Sequence, residues 1–214
     1  EEIDFILEQI GRYLKKIPGR KDIRSVYAGL RPLVKSNHKK TAELARDHLI
    51  LVSATGLITI TGGKWTTYRR MAEDTVNTAI SRSGLPDRPC RTATLPIHGA
   101  EKVDPHAPLH YHGSDAPAIR ALAEEVPGGD ERLHPRLPYI QAEIIWAARE
   151  EWCMTVEDAL SRRTRSLLLD AQAAIDCAPL VARLLAEQLG RDAVWQEKEL
   201  REFRALAANY LAQT

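Results

Sequence analysis

With 214 residues, 44% hydrophobic and 28% charged, the chain has the size of one large domain or two small ones, and enough apolar side chains to pack a core. Thirty basic against twenty-nine acidic residues leave a formal charge of +1, so no whole-chain field argues for nucleic acid or another highly charged partner. Cys90, Cys153 and Cys177 lack CxxC or metal-ligand spacing, which points to free thiols in a reducing compartment, with one disulfide as the alternative; "LILVSATGLITIT" (49–61) is too short and interrupted to cross a bilayer, and no signal-peptide pattern appears.

Ile3, Ile6, Leu7, Ile10 and Leu14 recur at helical spacing over residues 2–16, and Pro18 with Gly19 ends the run. The chain starts inside this helical pattern, as a fragment of something longer would. "DIRSVYAGLRPLV" mixes β-prone residues with two arginines and reads as one or two strands before the polar "KSNHKKTAE". "HLILV" and "GLITITGG", separated by "SATG", read as a hairpin or two consecutive strand pieces. The period turns helical from Lys64 or Trp65 to about Arg82, with Met71, Thr75, Val76 and Ile80 on one face.

Residues 83–112, rich in Pro, Gly and His, read as a linker or an ordered surface loop. Beyond them six stretches carry helical periodicity: 115–125, 139–152, 155–162, 166–175, 178–190 and 193–211. "TVED" (155–158) resembles a capping box with Asp in place of Glu. The expected division is an α/β part over 1–82, the loop 83–112 and an all-helical part over 113–214. The few strands of the α/β part would leave sheet edges open unless further strands cover them.

The charge is uneven: residues 1–80 hold 14 Lys/Arg against 9 Asp/Glu. This half contains "TGGKWTT", where a strand passes through Gly62 and Gly63 into a helix. Glycine lets a ligand approach the main chain, and a helix start offers unpaired N–H donors with partial positive charge. Lys64 adds a full charge, and Thr66 and Thr67 add hydroxyls. The spacing is neither a P-loop nor GxGxxG. An ordinary alternative is a tight turn with Trp65 in a core pocket and Lys64 solvated. Arg24, Arg31 and Arg46 lie in or beside strand-like segments, where a guanidinium needs a carboxylate, a phosphate or solvent. With Lys64 they could converge on one dianion, or each could be an ordinary surface or ion-paired residue. His98, His106, His110 and His112 are eight, four and two residues apart without paired cysteines or an HExxH helix, so no metal site is expected. None of the seven histidines has a context that singles it out. Trp146, Trp152 and Trp195 lie on helical stretches and are read as core, with an interface role as the alternative.

"DIRSVYAGLRPLV", "RDHLI", "TGLITITGGKWTTYRRMAEDTV" and "LPYIQAEIIWAAREEWCMTVEDALSRRTR" together resemble the C-terminal portion of FAD-dependent, quinone-linked glycerol-3-phosphate dehydrogenases. The resemblance implies an α/β fragment of a flavoprotein oxidoreductase, a partial sheet plus helix, followed by an all-helical C-terminal domain. It implies a parent that oxidises sn-glycerol 3-phosphate to dihydroxyacetone phosphate by hydride transfer to FAD and passes electrons to membrane quinone. It places Arg31, Arg46 and Lys64 at the substrate phosphate. The turn Gly62, Gly63, Lys64, Trp65, Thr66 and Thr67 would lie at the pyrimidine end of the flavin. No catalytic proton acceptor is carried over, and the glycine-rich FAD fingerprint lies outside this chain, so the isolated chain is expected to be inactive. The resemblance further implies a cytoplasmic protein at the inner-membrane surface, with a homodimer as a further expectation and no nucleic acid. The competing reading makes the helical part a non-catalytic scaffold or interaction module.

Overall fold

The computed structural model describes residues 1–30 and 48–212. It groups into two compact units, residues 1–28 with 101–214, and residues 29–100.

The first unit opens with helix α1, Glu2–Gly11, shorter than its periodicity suggests. Ile17 folds back over its end, where a Cβ on Gly11 would lie 3.1 Å from Ile17 Cγ2. A 3-10 turn follows, Arg20–Asp22. Asp22 accepts the Gly19 N–H at 2.8 Å, and Arg20 clamps Asp4 of α1 through contacts of 2.7 and 2.8 Å. Over residues 23–30 the strand reading is corrected, because the backbone joins no ladder. Its partners are helix ends instead. The Arg24 carbonyl accepts the Ala171 N–H (3.0 Å), and the Val26 N–H donates to the Tyr210 carbonyl (2.9 Å). Helix termini leave such groups without intrahelical partners, and an extended segment can satisfy several at once.

The helical part comprises α3 (Ala116–Glu125), α4 (Gln141–Glu150), α5 (Ser166–Leu169), α6 (Ala171–Leu189) and α7 (Ala193–Ala207); α2 (Tyr68–Ser83) belongs to the other unit. Helix α6 packs against α4, α5 and α7, and α3 against α4. Ile119, Leu137, Ile144, Leu160, Leu167, Leu185 and Phe203 fill the core, and buried alanines on α6 bring its neighbours close. The capping box at 155–158 forms: Asp158 accepts the Thr155 N–H at 3.1 Å, and Thr155 Oγ1 accepts the Asp158 N–H at 3.0 Å. Burial opposes ionisation of Asp158, yet bonds from Arg162, Thr155 and the Met154 N–H hold its carboxyl below the usual range. The helix it starts widens into a π turn over Asp158–Arg163.

Beyond residue 115 the largest departure from the periodicity lies between α5 and α6. The break falls at Asp170, whose carboxylate accepts the Ala173 N–H at 3.0 Å and caps α6, and α6 then runs through Pro179. Proline removes one backbone donor, but burial on three sides holds the helix together. Glu199 of α7 is buried and satisfied, accepting the Val156 N–H at 3.0 Å. All three cysteines are free; burial pushes the Cys153 and Cys177 thiols up to about 12, while Cys90 is exposed.

Among its described residues the second unit holds a hairpin and a helix. Strands β1 (His48–Val52) and β2 (Ile58–Gly62) pair antiparallel, with His48 opposite Gly62 and Val52 opposite Ile58. Inner and outer residues alternate along both, as a one-face-buried sheet requires. Ser53 closes the connection: its hydroxyl accepts the Leu57 N–H at 3.0 Å, and its carbonyl accepts the Gly56 N–H at 3.0 Å. Helix α2, Tyr68–Ser83, packs on β2 and ends at Gly84 in the left-handed conformation. Every buried hydrophobic side chain among the described residues lies between Ala116 and Ala207, so the hairpin face is covered only partly. The architecture is the one expected: a small β-plus-helix part and a larger helical part.

Candidate functional site

The turn between β2 and α2 is built by local chemistry. Gly62 and Gly63 have φ of 79° and 76°, the left-handed region that favours glycine. A Cβ on Gly63 would press on the flexible end of the Met71 side chain, so the left-handed backbone, with Met71 packed beneath it, favours glycine there independently of any ligand. Trp65–Thr67 form a 3-10 turn that leads into α2. Thr67 is committed to this turn: its hydroxyl accepts the Lys64 N–H (3.0 Å) and donates to the Lys64 carbonyl (2.9 Å), and its own N–H also reaches that carbonyl at 2.9 Å. What the turn presents outward is Lys64, Trp65 and Thr66, all exposed, and the N–H groups of Trp65 and Thr66, which a helix start leaves without intrahelical acceptors. Trp65 fills no core pocket; it is 86% exposed and stacks on Tyr68, ring centroids 5.5 Å apart.

Placing alanine at Gly63 is therefore expected to lower unfolding stability by roughly 1–2 kcal/mol, because it forces a Cβ into a left-handed position and against Met71. Urea unfolding of the variant measures this. A midpoint equal to wild type would show that the turn relaxes freely.

Arg31 and Arg46 lie outside the described residues. Arg24 has a partner within its own unit: it faces the buried Asp170 at 3.6 Å, and Arg136 lies 3.2 Å from the same carboxylate. Its counter-charge is a carboxylate in the helical part. No group of three or more metal-ligating side chains occurs among the described residues.

Sequence reading missed two histidine networks. His48, opposite Gly62 in the hairpin, places Nε2 3.0 Å from Asp74 on α2, and Asp74 also receives Arg70 Nε at 3.1 Å. The network pins α2 to the strand beside the glycine turn. Strand register and a carboxylate two turns into the following helix would have been the signal. In the other unit, Glu143 of α4 has a 2%-exposed side chain. It accepts from Tyr111 at 2.8 Å, stands 2.9 Å from His112 Nε2, and accepts the Ile140 N–H at 2.8 Å. Burial, then the Glu143 charge, raise the Tyr111 phenol above its ordinary value. Trp152 is also not core: it follows α4 with φ 53° and is 82% exposed, whereas Trp146 and Trp195 pack on the core.

Comparison with known proteins places these features in a family. Residues 53–198 match the model of the C-terminal domain of alpha-glycerophosphate oxidase. A probable mitochondrial glycerol-3-phosphate dehydrogenase of Caenorhabditis elegans is 37% identical over 95% of this chain and 31% of its own length. Mitochondrial glycerol-3-phosphate dehydrogenase of Homo sapiens is 33% identical over 95% of this chain and 31% of its own. The chain thus spans about a third of these relatives. The crystal structure of glycerol-3-phosphate dehydrogenase from Bacillus halodurans complexed with FAD shares the fold, with a TM-score of 0.72, 24% identity, all of this chain and 46% of that one covered. Since the family model takes in the hairpin's second strand, the glycine turn and most of the helical part, the chain belongs to the family of the alpha-glycerophosphate oxidase C-terminal domain.

Proposed function

We propose that this chain is the C-terminal part of a flavoenzyme that oxidises sn-glycerol 3-phosphate to dihydroxyacetone phosphate and delivers the electrons to membrane quinone. The observation that carries the reading is the outward face of the turn at 62–67, where a lysine, a threonine hydroxyl and two helix-start donors sit together at the end of a strand. The same turn fits FAD on chemical grounds: Gly62, Gly63, Lys64, Trp65, Thr66 and Thr67 would hold the pyrimidine edge, with Thr67 acting by shaping the backbone. FAD supplies the hydride acceptor when bound. A helix N-terminus aimed at that edge favours negative charge where it develops, and this is transition-state stabilisation rather than uniform binding. Lys64, with Arg31 and Arg46, is assigned to the substrate phosphate, where cations orient the alcohol without taking part in the bond changes.

At the level of the parent, residues 1–82 are assigned to the FAD- and substrate-binding domain, 83–112 to a connecting loop and 113–214 to the helical domain. No helix among the described residues is long and apolar enough to cross a membrane. Peripheral attachment at the inner-membrane surface accords with that. A specific observation favours a scaffold role for the compact unit that joins residues 1–28 to the helical part: α1 leaves Phe5, Ile6 and Ile10 exposed beside a groove of about 630 Å³ in that unit. Assay of the full-length protein with glycerol 3-phosphate and either a quinone or oxygen as acceptor tests the proposal. Quinone reduction dependent on glycerol 3-phosphate is expected; loss of that dependence, or turnover with oxygen alone, would overturn the assignment or its acceptor.

A further inference from the structure

Gly62 and Gly63 give the junction of β2 and α2 two backbone positions of high freedom, so the aim of the helix start depends on what ties α2 to the hairpin. The closed loop between Thr67 and Lys64 ties the turn only to itself. Met71 packs beneath Gly63, but through the flexible end of its side chain. The polar tie lies further along. His48, directly across the hairpin from Gly62, places Nε2 3.0 Å from Asp74 Oδ2, with both side chains partly buried. An ionised carboxylate only accepts, so Nε2 carries the proton and donates. The other Asp74 oxygen faces Arg70 Nε at 3.1 Å. One oxygen is thus held by the strand and one by the helix. Asp74 stands six residues beyond Tyr68, about 9 Å along the axis of α2, where a tie has leverage against pivoting at the glycines.

We infer that His48 and Asp74 are positioning residues for the flavin: by stopping α2 from pivoting about Gly62 and Gly63, they keep the Trp65 and Thr66 N–H groups aimed at the ring edge that gains charge on reduction. The inference rests on the reading that this turn seats the pyrimidine edge of FAD. Donors preset where charge develops stabilise it without reorganising, and donors free to swing lose that advantage. The oxidised ring carries no such charge. Loosening the tie therefore weakens the hold on reduced flavin more than the hold on oxidised flavin. A tie that served packing alone would change stability and leave the flavin's preference between its two states untouched.

The test uses full-length, FAD-loaded enzyme carrying His48→Ala, Asp74→Ala, the two together, or His48→Gln, which keeps an N–H donor at nearly the same reach. Trp65→Pro and Trp65→Ala probe the turn itself. Both lose the indole, and only proline also removes the N–H, at a helix-start position where proline is tolerated. The flavin midpoint potential is measured by anaerobic titration, together with urea unfolding. Expected for His48→Ala and Asp74→Ala is a loss of about three- to tenfold in preference for reduced over oxidised flavin, which lowers the potential by about 15–30 mV for a two-electron couple. The double variant should fall no further than either single one, and His48→Gln should restore most of the loss. If Trp65→Pro lowers the potential below that of Trp65→Ala while the His48 and Asp74 variants lose only urea stability, the positioning role is wrong and the flavin reading survives. Should His48→Ala fail to fold, Asp74→Ala, which leaves the strand unaltered, decides by the same criterion. If Trp65→Pro and Trp65→Ala share one potential, the flavin reading of the turn falls and takes this inference with it.

Discussion

Replacing Lys64 by alanine in the full-length enzyme is expected to reduce kcat/KM for glycerol 3-phosphate about tenfold to a hundredfold or more. Arg31→Ala and Arg46→Ala should do the same. On the proposed assignment each change removes a charge-assisted contact to a phosphate, an effect of roughly 1.5–3 kcal/mol in transition-state binding. Lys64 is the N-cap of the turn, but its backbone, not its side chain, makes the turn's bonds to Thr67. Alanine should therefore leave the turn standing, and the loss can be read as one of charge. Lys64→Arg should recover part of the activity, since the charge returns with a different geometry. Steady-state kinetics over substrate concentration check this, and a Lys64→Ala enzyme with wild-type constants would remove Lys64 from the pocket.

The largest stability effect is expected at Glu143. Its side chain is 2% exposed and serves three partners: the Tyr111 hydroxyl, His112 and the Ile140 N–H. Alanine would take the acceptor from all three and leave a cavity where the buried carboxylate stood, at about 3–5 kcal/mol. Glutamine keeps the shape and one acceptor, and should cost less than half as much. Equilibrium unfolding in urea would show the difference, and a Glu143→Ala midpoint near wild type would mean that the neighbours find other partners. The phenol adds a signature at high pH. Because burial and then Glu143 raise the Tyr111 pKa in the folded state, its contribution is complete below the ordinary tyrosine value and declines as pH rises beyond it.

How much was legible depends on the range of the interactions. The hairpin, the helix after the glycine turn and the 155–158 capping box are decided by neighbours in sequence, through alternation, helical period and a four-residue side-chain pattern, and they appear as expected. The docking of the extended segment at 23–28 is not local. Its residues have strand propensity, but Leu167, Ala171 and Tyr210 hold their partners, and no window along the chain contains both sides. Propensity correctly gave extended backbone and could not give what it pairs with. The break at Asp170 was missed because Pro179 is the louder signal, although a capping aspartate ends one helix and starts the next more cheaply than a proline does. At the site, charge and glycine pattern located the turn, yet Met71 beneath Gly63 and the closed Thr67–Lys64 loop required coordinates.

The pairing of Ser25 with Leu167 spans 142 residues. Such a bond cannot form until the far partner has left the ribosome, so during synthesis the extended segment waits, its Ile23 and Val26 without the cover the helical part later gives them, while everything between is made. Vectorial synthesis therefore turns a late-closing clasp into a long interval of vulnerability, in which a chaperone that shields the early segment would raise the yield of correctly assembled protein more than one acting after release.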